Sequence, residues 1–215
     1  MAMVGSANTG SHGHRGHDHH GNPDDLRAYI EKMESPGRDE WQKPAEVLAA
    51  LAVKQGDVVC DIGAGPGYFA LKLARAVGDK GAVFAVDVEP RMLEVLRERI
   101  EKSGQRNVMP VLALDDDPLL PPASCDLVLI ADTFHHFPVG AAYLERAARS
   151  LRKGGRIAGI DFHKRELPVG PPPKHKVSRE EFLEHAALAG LELRAEHHFL
   201  PYQYFLVFEP RQRAP

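Results

Sequence analysis

The chain has 215 residues, 43% hydrophobic and 27% charged, with 27 Lys plus Arg against 30 Asp plus Glu. That length suits one domain with appendages and is short for two, and a formal net charge of −3 argues against a protein that binds nucleic acid by neutralising phosphates. No apolar run reaches the ~18 residues needed to span a bilayer, which leaves a soluble protein with a small-molecule substrate, monomeric or homodimeric, as the expectation.

Residues 1–23, with the run GSHGHRGHDHHGNP, are rich in Gly and His and too poor in apolar side chains to fold alone, which predicts a disordered tail. Its His12, His14, His17, His19 and His20 are clustered as imidazole ligands for Zn²⁺, Ni²⁺ or Cu²⁺ would be; an inert tail is the competing reading, and no metal site is predicted in the rest of the chain. Met1 to Gly10 has no charged segment followed by an apolar one, which predicts a cytoplasmic protein. Residues 24–55 hold apolar positions at helical spacing from Leu26 to Met33 and from Pro44 to Val53, and Pro44 suits the first position of a helix. Two helices are expected there. Trp41, between them, reads as a core anchor or as a lid over a site.

Residues 56–215 alternate strand-like with helical runs: VVCDI, FALKLARAV, AVFAVDV, MLEVLRERI, VMPVLAL, DLVLIAD, AAYLERAARSL and RIAGIDF. This alternation predicts an α/β fold with a mostly parallel, doubly wound sheet and helices on both faces. A last helix from Ser178 to Ala189 precedes LELRAEHHFL and YQYFLVFEP, whose short link permits only an antiparallel hairpin. The count is then seven strands. Cys60 and Cys125 lie inside apolar runs and outside any Cys-x-x-Cys or Cys/His spacing, so they read as two small buried thiols, consistent with a reducing compartment.

The chemistry concentrates in VVCDIGAGPGYFALKLA. A strand ends at Ile62, glycines stand at 63, 65 and 67, and a helix is expected from about Pro66. Without Cβ atoms the backbone can turn sharply and a ligand can approach it. A dinucleotide loop would need glycine at position 68; Tyr68 stands there. Asp61, two residues before the first glycine, suits a ligand with an ammonium group better than a phosphate. Asp87 closes the next strand about 20 residues beyond Gly67, where a carboxylate can accept hydrogen bonds from ribose hydroxyls, although it can also cap the helix that enters at Pro90.

These residues resemble the class I S-adenosylmethionine-dependent methyltransferases, specifically the small bacterial members related to the ubiquinone and menaquinone methylases, over roughly Pro44 to Glu209. The resemblance implies a Rossmann-like seven-stranded sheet with a reversed C-terminal strand, and S-adenosylmethionine as cofactor. It implies that Asp61, Gly63, Ala64, Gly65 and Gly67 wrap the methionine half, that Asp87 holds the ribose, and that Val88 and Met92 flank the adenine. Asp116, in LDDDPLLP, would meet the adenine amino group, with Asp115 and Asp117 as neighbouring choices of register. Ala131 begins ADTFHHF, the segment expected to face cofactor and substrate. Methyl transfer needs an in-line nucleophile and a base only if that nucleophile arrives protonated. The candidates at strand ends are His135, His136, Asp161 and His163, with His135 and His136 ranked first and Tyr202 or Tyr204 further out. The basic, proline-rich loop from His163 to Lys176 reads as a connector or a substrate-facing rim. A catalytically silent cofactor-binding or partner-binding domain, and a metal-handling protein acting through its His-rich tail, are the alternative functions.

Overall fold

The computed structural model describes residues 25–211. The His-rich tail and the metal reading attached to it lie outside these residues.

Seven strands form one sheet in the order β3-β2-β1-β4-β5-β7-β6. They are β1 (Val58–Ile62), β2 (Ala82–Asp87), β3 (Val108–Leu112), β4 (Cys125–Ala131), β5 (Leu151–Phe162), β6 (Leu191–His197) and β7 (Gln203–Pro210). β1 to β5 pair in parallel. β7 runs antiparallel to both β5 and β6, so the closing hairpin joins the sheet through its second strand. The order turns outward on either side of β1 and β4, and such a reversal opens a crevice at the carboxyl ends of those two strands.

The central strands alternate their side chains between two apolar layers, as the near-continuous Val/Ile/Leu runs require. Val59, Leu127, Leu129, Ala158 and Ile160 pack with Val47 and Leu51 of α3 (Pro44–Leu51), Leu73 and Val77 of α4 (Ala70–Val77), and Leu93 and Leu96 of α5 (Pro90–Ser103). Cys60, Val128, Ile130 and Ile157 face the other way. They pack on Tyr143 and Leu144 of α6 (Gly140–Arg149) and on Phe182 and Ala186 of α7 (Arg179–Leu188). Ser178 caps α7 through a capping box with Glu181, which satisfies two otherwise orphaned backbone donors and fixes where the helix starts.

Three local expectations are corrected. The N-terminal stretch holds three helices, α1 (Leu26–Met33), α2 (Arg38–Gln42) and α3, because one five-residue turn is too short to show a periodicity. The glycine loop runs on to Phe69 before α4 begins, since positive φ at Gly67 (97°) is incompatible with a helix starting at Pro66. Cys60 and Cys125 are joined as a disulfide and are not free thiols. They sit on neighbouring strands and the same face with Cα atoms 6.2 Å apart, within bridging range. No helix among the described residues is long and apolar enough to cross a membrane.

Candidate active site

The carboxyl ends of β1, β2, β4 and β5 bring four acids to one edge: Asp61, Asp87, Asp132 and Asp161. Asp61 is the penultimate residue of β1 and is 2% exposed. Its Oδ2 has no hydrogen-bond partner. Burial first, and the Asp87 charge second, push its pKa up to about 7. A buried carboxyl with an unused acceptor beside a glycine loop is unfavourable unless a cation arrives to meet it.

The loop after Asp61 is held by two different devices. Gly63 (φ 74°) lies against Thr133, where an added Cβ would come within 2.1 Å of the hydroxyl, so glycine here lets the β4 exit pack on the β1 exit. Gly65 (φ 53°) is different: only the Met33 methyl of α1 comes as near as 4.0 Å, which leaves room for a ligand against the backbone. Asp87 ties this loop to β2, accepting from the Gly65 N–H (2.7 Å) on one oxygen and from the Glu89 N–H (2.9 Å) on the other. The Val88 N–H also acts on this carboxylate, which with about four acceptor sites in all still has capacity for a hydroxyl donor. Burial raises the Asp87 pKa, against the backbone donors that lower it.

The helices α1 and α2 lie over this edge. Tyr29 of α1 has its pKa raised by burial and then by the charges of Asp87 and Asp132. Arg99 of α5 holds α1 in place through a forked pair with Glu34 and donates to the Pro66 carbonyl at 3.2 Å. Arg38 of α2 reaches Asp132 Oδ2 at 3.4 Å. Gln203 of β7 donates to the other Asp132 oxygen, and the amide of Gln42 donates to Gln203 at 3.3 Å. Asp132 takes a left-handed conformation (φ 56°) just past β4, and burial pushes its pKa up to about 6 while Arg38 opposes the rise.

On the β5 side, His135 and Asp161 meet. The His135 Nδ1 lies 2.9 and 3.0 Å from the two Asp161 oxygens, and its backbone N–H donates to Asp161 Oδ2 at 3.2 Å. Asp161 is fully buried, also accepts from the Phe162 N–H, and pairs across the sheet with Tyr204. A carboxylate only accepts, so in the neutral ring Nδ1 carries the proton and Nε2 keeps its lone pair. Burial works against a charged His135 ring, but the charge and hydrogen bond of Asp161, with Asp132 behind, outweigh it and raise its pKa. Phe134, fully buried and packed on Phe182 with ring centroids 3.9 Å apart, pins the 3₁₀ turn Phe134–His136 that carries this histidine.

The other sequence candidates take varied positions. His136 is exposed, with its ring 4.2 Å from that of His135. His163 gives its N–H to the Tyr202 carbonyl and faces the edge of Tyr204 at 6.0 Å. Its pKa is lowered by burial and by Arg165. Met92 and Ala131 are buried and Val88 is 48% exposed at the β2 exit. Asp116 pairs with Arg146 of α6 at 3.3 Å, and Arg146 is 3.9 Å from Asp117. Arg38, Gln42, Asp132 and Gln203 were not singled out from sequence; only Asp132, a strand-terminal acid, carried a signal that could have found it. Among the described residues no group of three or more His, Cys, Asp or Glu is arranged to hold a metal ion.

Residues 59–155 match the family model of a methyltransferase domain. A crystal structure of an S-adenosylmethionine-dependent methyltransferase from Aquifex aeolicus superposes with a TM-score of 0.80 at 30% identity, covering 84% of this chain and 96% of that one. The chain belongs to the S-adenosylmethionine-dependent methyltransferases. Among its relatives are the ubiquinone/menaquinone biosynthesis C-methyltransferase of Francisella philomiragia, 30% identical over 60% of this chain and 51% of that protein, and the 27-O-demethylrifamycin SV methyltransferase of Amycolatopsis mediterranei, 29% identical over 81% and 66%. The chain thus spans about half to two thirds of the length of these curated relatives.

The site fits the family's cofactor. Asp61 offers an unused buried acceptor to an ammonium, Gly65 an open backbone, and Asp87 free lone pairs to ribose hydroxyls. Because a carboxyl that titrates near pH 7 attracts an ammonium only when ionised, S-adenosylhomocysteine is expected to bind more tightly as pH rises through about 7, by up to ~10-fold per pH unit below it. Calorimetric affinities across that range check this, and Asp61→Asn is expected to flatten the dependence.

Proposed function

We propose that this methyltransferase alkylates a small-molecule acceptor at an O, N, S or C centre that must lose a proton, and that His135 is the base. The observation that carries the reading is the buried His135–Asp161 pair at the carboxyl edge of β4 and β5, beside the glycine loop. Bound S-adenosylmethionine supplies an electrophilic methyl group on a sulfonium. Asp161 fixes the His135 ring and its tautomer, so that the Nε2 lone pair accepts the acceptor's proton and the imidazolium formed is balanced by the carboxylate. The helices α1 and α2 shield the edge from water, and positioning in that dry site accounts for the rest of the acceleration.

A cavity of about 450 Å³ lies between α2, the loop after β5 and the β6–β7 turn, and is lined by Trp41, Tyr202, Pro168 and Val169 among others. Its volume is that of a small-molecule site. Trp41 is half-buried and outside both apolar layers, so it is not the core anchor expected of it; its ring sits 5.7 Å from that of Phe162 and 6.5 Å from that of Tyr202 and forms a wall of this cavity. Asp87, Met92 and Val88 are assigned to the nucleoside half of the cofactor and Asp116 to the adenine amino group.

Incubating the protein with S-adenosylmethionine and panels of phenols, amines, thiols and acidic C–H compounds, with mass spectrometry of the products, tests the reading. Acceptor-dependent formation of S-adenosylhomocysteine together with a methylated acceptor is the expected result. Tight cofactor binding with no methylated product in any panel would favour a silent binding domain.

A further inference from the structure

Arg38 is a guanidinium held loosely in a buried place. Its Nη1 donates to the Met33 carbonyl at 3.0 Å, but Nη2 reaches Gln42 Oε1 and Asp132 Oδ2 only at 3.5 and 3.4 Å, at the limit of hydrogen bonding. Its Nε is shut from solvent with no acceptor. The flat group lies on the Tyr68 ring, 3.7 Å from the centroid, and Lys72 approaches that ring at 3.8 Å. The Tyr68 hydroxyl is anchored on Asp39, the neighbour of Arg38 in α2. Tyr68 occupies the position where a dinucleotide loop would carry glycine, and here it is the platform on which a cation rests.

The charge of Arg38 is felt by both Asp61 and Asp132, which places it between the β1 and β4 exits and next to the glycine loop. A ligand with an α-ammonium and an α-carboxylate that sets its ammonium against Asp61 brings its carboxylate into an edge otherwise furnished with acids. A guanidinium presenting adjacent Nε–H and Nη2–H donors is the group that binds a carboxylate in a fork.

We propose that Arg38 binds the α-carboxylate of the cofactor through its Nε–Nη2 edge, and that Asp132 steadies the Nη2 end of that edge until the cofactor arrives. On binding, the ligand carboxylate takes the place of Asp132 Oδ2, and Asp132 stays anchored by the Gln203 amide on its other oxygen. Arg38 and Trp41 lie three positions apart in α2, so this one short helix carries both the proposed carboxylate ligand and a wall of the neighbouring cavity. The inference rests on the family's cofactor and on no particular acceptor.

The test is isothermal titration of the full-length protein with S-adenosylhomocysteine and with its decarboxylated counterpart, which keeps the ammonium, thioether and nucleoside. The wild-type protein is expected to prefer S-adenosylhomocysteine by about 10- to 100-fold, the worth of a charge-assisted fork. Arg38→Met is expected to erase that preference, weakening S-adenosylhomocysteine by the same factor while the decarboxylated ligand keeps its affinity within about threefold. Arg38→Lys, which restores charge without the fork, is expected to fall between. Equal affinity of the wild-type protein for the two ligands would overturn the assignment with no variant needed, as would an Arg38→Met protein that still discriminates or that loses both ligands equally. Failure of the wild-type protein to bind either ligand would instead strike at the cofactor itself.

Discussion

Replacing His135 with Gln is expected to lower kcat by about 10²- to 10⁴-fold, the usual worth of a general base, while S-adenosylhomocysteine affinity changes little. The wild-type profile of kcat/KM is expected to rise with pH, because only the neutral ring can accept a proton. Since Asp161 raises the His135 pKa, the rising limb lies above the ordinary histidine value of about 6.5. Removing the charge with Asp161→Asn takes away the largest raising influence, so the limb moves to lower pH as kcat falls. Both measurements use whichever acceptor the product screen yields. A His135→Gln protein with undiminished kcat and an unchanged limb would exclude the base role and leave positioning as the mechanism.

The largest stability effect is expected at Phe182. Its ring is fully buried on α7, packs tilted on Phe134 at 3.9 Å, stacks on Phe208 at 5.6 Å, and fills the space that a side chain at Gly159 would need, where an added Cβ would come within 2.4 Å. Phe182→Ala removes this filling and leaves a cavity between α7 and the sheet, at a cost of about 3–5 kcal/mol. For a chain of this size that corresponds to a fall in Tm of roughly 6–20 °C, readable by differential scanning calorimetry. Phe134 loses its partner in the same change, and Phe134 anchors the turn that carries His135. A fall in kcat with unaltered cofactor affinity is therefore expected in the fraction that remains folded. A Tm shift under about 2 °C would mean that the site collapses without strain.

The glycine loop and the two strand-end acids were legible because each is a local matter. Absent Cβ atoms at 63, 65 and 67, an acid two residues earlier and another about 20 residues later are all set by spacing along one βαβ unit. The seven strands and their layers were legible for a similar reason: burial on both faces leaves near-continuous apolar runs, and a short link forces a hairpin. Even there local spacing had limits. It started α4 early, because a positive φ at Gly67 is a conformational fact that the letter G only permits.

What tertiary structure alone decided is what joins distant parts of the chain. His135 was one of four candidates until packing set it against Asp161, 26 residues on in the next strand, and left His136 exposed. Arg38 and Asp132 are 94 positions apart, Gln42 and Gln203 are 161 apart, and Cys60 and Cys125 are 65 apart. No periodicity or motif links such pairs, because their contacts are fixed by strand order and helix placement, not by the intervening sequence. The sequence by itself therefore determined the sheet, the presence of the glycine loop after β1 and the family. Which acid lies against which histidine, and which guanidinium lies in the acidic edge, follow from the way β4, β5 and α2 meet at one crevice, where burial makes every unpartnered polar group expensive.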